Sequence, residues 1–214
     1  MANNQRVQAL LDFWFGPPGD PERERPRDIW FKGTAEFDDE VRRRFVADYE
    51  AAAAGRLVAW EETPEGALAL VLLLDQVPRN IFRGMPRAYA TDAAARAAAD
   101  RAMERGFDRA MPLVWCKFFY MPLHHSEDVA DQLRCLELLE ALPLQPDGPD
   151  NKRYARRYLD TISRFGRFPH RNAVLGRQST PEELAFLDEP ESRLDLLKVT
   201  PRRREPECRS PTSP

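Results

Sequence analysis

Thr63-Pro64-Glu65-Gly66-Ala67-Leu68-Ala69-Leu70-Val71-Leu72-Leu73-Leu74-Asp75-Gln76-Val77-Pro78 is the stretch on which the fold turns. Thr63 is a helix-capping residue type, Pro64 suits the first helical position, and the residues from Ala67 are apolar with no polar face until Asp75. A helix apolar nearly all round has to be enclosed by other elements, so Pro64 to Val77 is expected to be central and the most buried. Its uninterrupted apolar core, Ala67 to Leu74, is far shorter than the ~20 residues that span a bilayer.

Outward from this helix the same periodicity repeats. Val7, Leu10, Leu11 and Trp14 fall at i, i+3, i+4 and i+7, and Gly16-Pro17-Pro18-Gly19 stops that helix near Phe15. After a Pro- and charge-rich loop from Gly19 to Arg27, Thr34 caps a helix carrying Phe37, Val41, Phe45 and Tyr49, which Gly55 closes. Downstream, Thr91-Asp92 caps an alanine-rich helix ending at Gly106, and Pro112 opens another through Phe119. Val129, Leu133, Leu136 and Leu139 mark a helix from about Ser126, Asn151 to Phe165 forms one more, and Thr180-Pro181-Glu182-Glu183 is a capping box for the last. The reading is all-α, with about eight helices in antiparallel hairpins and no fixed-period sequence repeat. A strand has room to hide only in short apolar runs such as Arg56 to Trp60. Residues 1–199 are expected to form a single helical domain, and residues 200–214, rich in Pro and Arg with almost nothing to bury, a disordered tail.

Composition narrows the function classes. The chain has 214 residues, 43% hydrophobic and 31% charged, and 32 Lys and Arg against 35 Asp and Glu leave a net charge of −3. No positive field draws it to nucleic acid or to anionic lipid, so neither nucleic acid nor membrane is expected as a partner. The start, MANNQRVQ, lacks a basic segment followed by an apolar one, which argues against export. Cys116, Cys135 and Cys208 are an odd set without CxxC spacing, so no disulfide framework or zinc ribbon is read and a reducing cytoplasm suits them.

Three polar segments interrupt the pattern. In Leu74 to Gly84, Asp75 projects from an apolar helix and needs a partner, while Pro78 is expected to kink or end the helix and leave carbonyls open. In Pro122 to Gln132, His125, Asp128 and Gln132 sit at spacings of three and four beside the arc of Val129, Leu133, Leu136 and Leu139, with Glu127 and Arg134 pointing away. His124-His125 invites a metal reading, but adjacent histidines on a helix diverge by about 100° and no HExxH is present, so no metal or cofactor is expected. In Arg164 to Arg177, Arg167 and Arg171 with His170 and Asn172 lie on a loop punctuated by Gly and Pro. That loop suits an anion, or neutralises Asp75 and Asp128.

These segments, with Leu11 to Gly16 and Ser179 to Leu187, resemble over about residues 7–187 a bacterial family known as domain of unknown function 924. The resemblance implies an all-α fold of the tetratricopeptide-like superfamily and carries no reaction with it. Within it, His125 stands where the family histidine falls, and His124 departs from a position more often Met.

Two functional readings follow. In the first, His125, Asp128 and His170 carry general acid–base chemistry on a small anionic metabolite held by Asp75, Arg79, Asn80, Gln132, Arg167, Arg171 and Asn172. In the second, the chain is a non-catalytic helical scaffold for a peptide or protein, and the polar motifs are a salt-bridge network. Oligomeric state is not legible. His125→Ala and Arg171→Ala are each expected to cost less than about 1.5 kcal/mol, as in a solvated pocket, whereas removing Arg171 from a closed network would cost ~3–5 kcal/mol.

Overall fold

The computed structural model describes residues 2–30, 33–143 and 151–189. Among these are eight α-helices and no strand: α1 Ala2–Phe15, α2 Ala35–Ala53, α3 Pro64–Ile81, α4 Asp92–Glu104, α5 Leu113–His124, α6 Val129–Ala141, α7 Asn151–Phe165 and α8 Pro181–Asp188. The run from Val58 to Glu62 is a 3-10 helix. The tail expected from residue 200 lies outside the described residues.

The capping chemistry of the sequence sets the helix starts. Thr34 accepts from the Phe37 N–H, Thr63 from that of Gly66, and Thr180 with Glu183 forms the complete capping box. With no polar stripe to turn outward, α3 is buried from Gly66 through Ile81 and packs against α1, α2, α4 and α5. The consecutive pairs α2–α3, α3–α4, α5–α6 and α6–α7 pack together, which is compatible with tetratricopeptide-like hairpins.

Two expectations are corrected. Of the kink or end expected at Pro78, the end does not occur, and helix α3 continues to Ile81. Pro78 has no N–H to give the Leu74 carbonyl, and the Thr91 hydroxyl donates there instead, at 2.6 Å. The hydroxyl that would have capped α4 is thereby engaged on α3, and it draws the start of α4, with Asp92, toward the end of α3. Helix α6 starts at Val129 rather than near Ser126, with Asp128 as its N-cap accepting from the Ala130 N–H at 2.8 Å. Its buried face runs through Gln132, Cys135 and Leu139, while Val129 and Leu133 are exposed.

Candidate functional site

Asp75, on the inner face of α3, is fully buried. Its Oδ1 lies 2.7 Å from His125 Nδ1 and 3.2 Å from Arg79 Nη1, and its Oδ2 accepts from Gln76 Nε2 at 2.5 Å. Burial by itself would push this carboxyl up, but the charges of Arg79 and His125 and the hydrogen bonds of His125 and Gln76 hold it well below the usual carboxylate range. Asp75 is therefore ionised, and as an acceptor it selects the His125 tautomer with the proton on Nδ1. That tautomer leaves a lone pair on Nε2.

Arg79 continues the network. It donates from Nη1 and Nη2 to Asp92 Oδ1 and Oδ2, at 2.9 and 3.0 Å, the two-pronged geometry that suits guanidinium and carboxylate. Arg171 Nη1 lies 3.7 Å from Asp92 Oδ2 and donates to the His125 carbonyl at 2.9 Å, so the chain of contacts returns to the histidine where it began. The Arg171 guanidinium is stacked between the rings of Tyr89 and Phe168, 4.8 and 4.4 Å from their centroids.

Three members of this network, His125, Asp92 and Arg171, reach an open cleft of about 780 Å³, with Asp75 and Arg79 behind them. His125, Ser126, Asp92, Arg96 and Arg171 line its polar part, and Pro86, Tyr89, Val129 and Leu175 its apolar part. Glu127 and Asp128 also line it, but both carboxylates are engaged: Glu127 by Arg177 and the Phe168 N–H, Asp128 by the first turn of α6. Arg96, about a third exposed, contacts Asp131 at 3.4 Å through Nε.

Of the residues singled out from the sequence, Asp75, Arg79, His125 and Arg171 come together, and Asp128 stands on the rim. The others do not join them. Asn80 donates to Asp38, which also takes a two-pronged bond from Arg83, and this ties α3 to α2. Arg167 and Asn172 converge on Glu183, and with the Thr180 N–H they anchor the start of α8. The Arg167 hydrogen bond is the main cause that lowers the Glu183 carboxyl to about 2. Gln132 is buried beneath the turn that carries His125, and His170 packs its ring 5.4 Å from Phe168 and does not line the cleft. Arg79 neutralises Asp75, Arg167 and Arg177 neutralise Glu183 and Glu127, and Arg171 links the 164–177 segment to this network. Glu127, expected to point away, is half-buried in its ion pair.

Asp92, Arg96 and Tyr89 escaped the sequence reading. Asp92 passed as an ordinary helix cap, although Asp92 and Arg96 are four residues apart on an otherwise alanine-rich helix and so share one face. As for a metal, the described residues hold no group of three or more His, Cys, Asp or Glu side chains placed to bind one. His124 turns from His125, with the ring planes 83° apart, and packs on Tyr158 at 3.8 Å.

Fold and site together define an all-helical protein with an aspartate-oriented histidine on the wall of an open cleft. The chain belongs to the family described as bacterial protein of unknown function (DUF924), whose profile matches residues 10–191. It is similar to the solved structure of a protein of unknown function from Agrobacterium tumefaciens, ATU0120. The two are 41% identical with a TM-score of 0.77, over 87% of this chain and 98% of that one. No curated protein matches the sequence. Among the described residues, no helix is long and apolar enough to cross a membrane.

Proposed function

We propose that the cleft is the active site of an enzyme that performs general acid–base chemistry on a small anionic molecule. The observation that carries this reading is the 2.7 Å contact between Nδ1 of His125, at the cleft wall, and the buried, ionised Asp75 behind it. A carboxylate in that place keeps Nε2 as the proton acceptor and compensates the positive charge when the ring takes a proton. Arg96 is the partly exposed cation of the cleft and would receive the anionic group, a carboxylate or a phosphate. The Tyr89, Val129 and Leu175 side would take the apolar part. Asp75, Arg79 and Asp92 act behind the histidine.

The scaffold reading has its own support. The pairs Arg177–Glu127, Arg167–Glu183 and Arg164–Glu182 tie the 164–177 segment to the turn between α5 and α6 and to the start of α8, and they account for three of its four arginines without a ligand. The two readings part on His125. Mono- and dicarboxylates and phosphate monoesters would be screened by thermal shift and by ¹H–¹⁵N spectra of the imidazole. The enzyme reading expects one class to raise the melting temperature of the native protein and to perturb His125, with both responses lost in His125→Ala and weakened in Arg96→Gln. If His125→Ala responds as the native protein does, the acid–base reading fails.

A further inference from the structure

We propose that Gln132 and Arg171, which resemble substrate-binding residues in the sequence, are positioning residues that hold His125 by its backbone. The inference rests on the acid–base reading for its functional meaning, but the placement it describes stands on geometry.

His125 is the C-cap of α5. The last carbonyls of a helix have no intrahelical donor, and a left-handed glycine commonly turns the chain so that following N–H groups reach them. Here Ser126, Glu127 and Asp128 follow, none with positive φ, and α6 begins at once. The Ser126 N–H reaches the Leu123 carbonyl at 3.1 Å, and side chains supply donors to the carbonyls that follow. The Gln132 amide reaches the carbonyls of Leu123, His124 and Ser126 at 3.3, 2.8 and 2.7 Å, and Arg171 reaches that of His125 at 2.9 Å. Three consecutive carbonyls centred on the histidine, those of His124, His125 and Ser126, are thus held by two side chains from outside the turn.

The Gln132 side chain is not placed for ordinary packing. Gln132 is fully buried, and its Oε1 has no hydrogen-bond partner among the described residues, a penalty that Leu or Met at the same place would avoid. It does not line the cleft and cannot touch a ligand there. What its amide does is fix the turn, and with it the distance from Nδ1 to Asp75. A shift of the turn by a fraction of an ångström would lengthen that bond and release the tautomer that Asp75 selects.

The test reads the His125 imidazole in ¹⁵N-labelled protein by long-range ¹H–¹⁵N correlation. The native protein is expected to show the Nδ1–H tautomer alone, and Asp75→Asn serves as the control that weakens this preference. Gln132→Met, which keeps the volume without the donors, is expected to show both tautomers in comparable amounts, and so is Arg171→Met. If both variants keep the single tautomer and merely melt earlier, the two residues only fill space and the proposal is overturned. Should the variants not fold, hydrogen exchange of the native Gln132 side-chain amide decides: protection of at least ~100-fold over a free glutamine is expected, and free exchange refutes the proposal. None of these readouts uses a ligand, so failure of the acid–base reading, seen as an unchanged response in His125→Ala, is distinguishable from failure here.

Discussion

Asp75 Oδ1 and His125 Nδ1 stand 2.7 Å apart across 50 residues of chain, one in the middle of the central helix and the other at the end of α5. The contact joins the most buried element of the fold to the open cleft. It is also asymmetric: Asp75 has Arg79 and Gln76 as further partners, while among the described residues the His125 ring hydrogen-bonds Asp75 alone.

That asymmetry sets the expected outcome of His125→Ala. The Asp75 charge stays paired when the imidazole is removed, so the loss is one hydrogen bond and some packing, and urea unfolding should register less than about 1.5 kcal/mol. A loss of several kcal/mol would show that the histidine is architecture.

Arg171→Ala is expected to cost more than the small value that a solvated pocket would give. Its guanidinium is buried between Tyr89 and Phe168 and satisfies the His125 carbonyl. Asp92 keeps Arg79, so no carboxylate is stranded, but a cavity and an unpaired carbonyl remain, and the cost should be ~2–4 kcal/mol by urea unfolding. Arg171→Lys should recover part of it.

Acid should destabilise the protein in steps. Asp75, Glu127 and Glu183 all bind their protons more weakly in the folded state than in the unfolded chain, so the unfolded chain takes up protons first as pH falls. Their contribution is complete above the ordinary carboxylate range and is lost below it. For Glu183 the window runs from 4.5 down to about 2, and Asp75 extends the loss further. Urea midpoints taken from pH 7 to pH 2 should fall across this range, and Glu183→Gln should flatten the part below 4.5.

Gly66→Ala tests the junction that begins the central helix. A Cβ at Gly66 would collide with the Trp60 carbonyl oxygen, a backbone atom held under a buried tryptophan, and would lie 2.9 Å from Thr63 Oγ1, the cap of the same helix. Neither neighbour can yield without disturbing the start of α3, so a loss of ~1–3 kcal/mol is expected in thermal or urea unfolding. An unchanged midpoint would mean that the junction is looser than its packing indicates.

What the sequence by itself determined is what local energies decide. Capping bonds span three residues and apolar faces recur every three or four, so Thr34, Thr63 and Thr180 mark their helices, the apolar run after Gly66 marks the core helix, and a buried Asp75 announces its need of a partner without outside information. Which partner it finds is not local. Asp75 and Asn80 stand five residues apart on one helix and both are buried, yet one meets His125 and the other Asp38, because the faces of α3 on which they lie pack against different elements. The same holds for Pro78: the sequence announces an orphaned carbonyl at Leu74, and only the packing of α4 supplies the Thr91 hydroxyl that lets the helix run on. Gln132, Arg167 and Asn172 have the side chains of ligand-binding residues and satisfy backbone and carboxylate groups of their own protein instead. A hydrogen-bonding group carries no mark of whether its partner will be a ligand or a neighbouring helix; that is settled when apolar burial brings the helices together and each buried donor and acceptor takes the partner within reach.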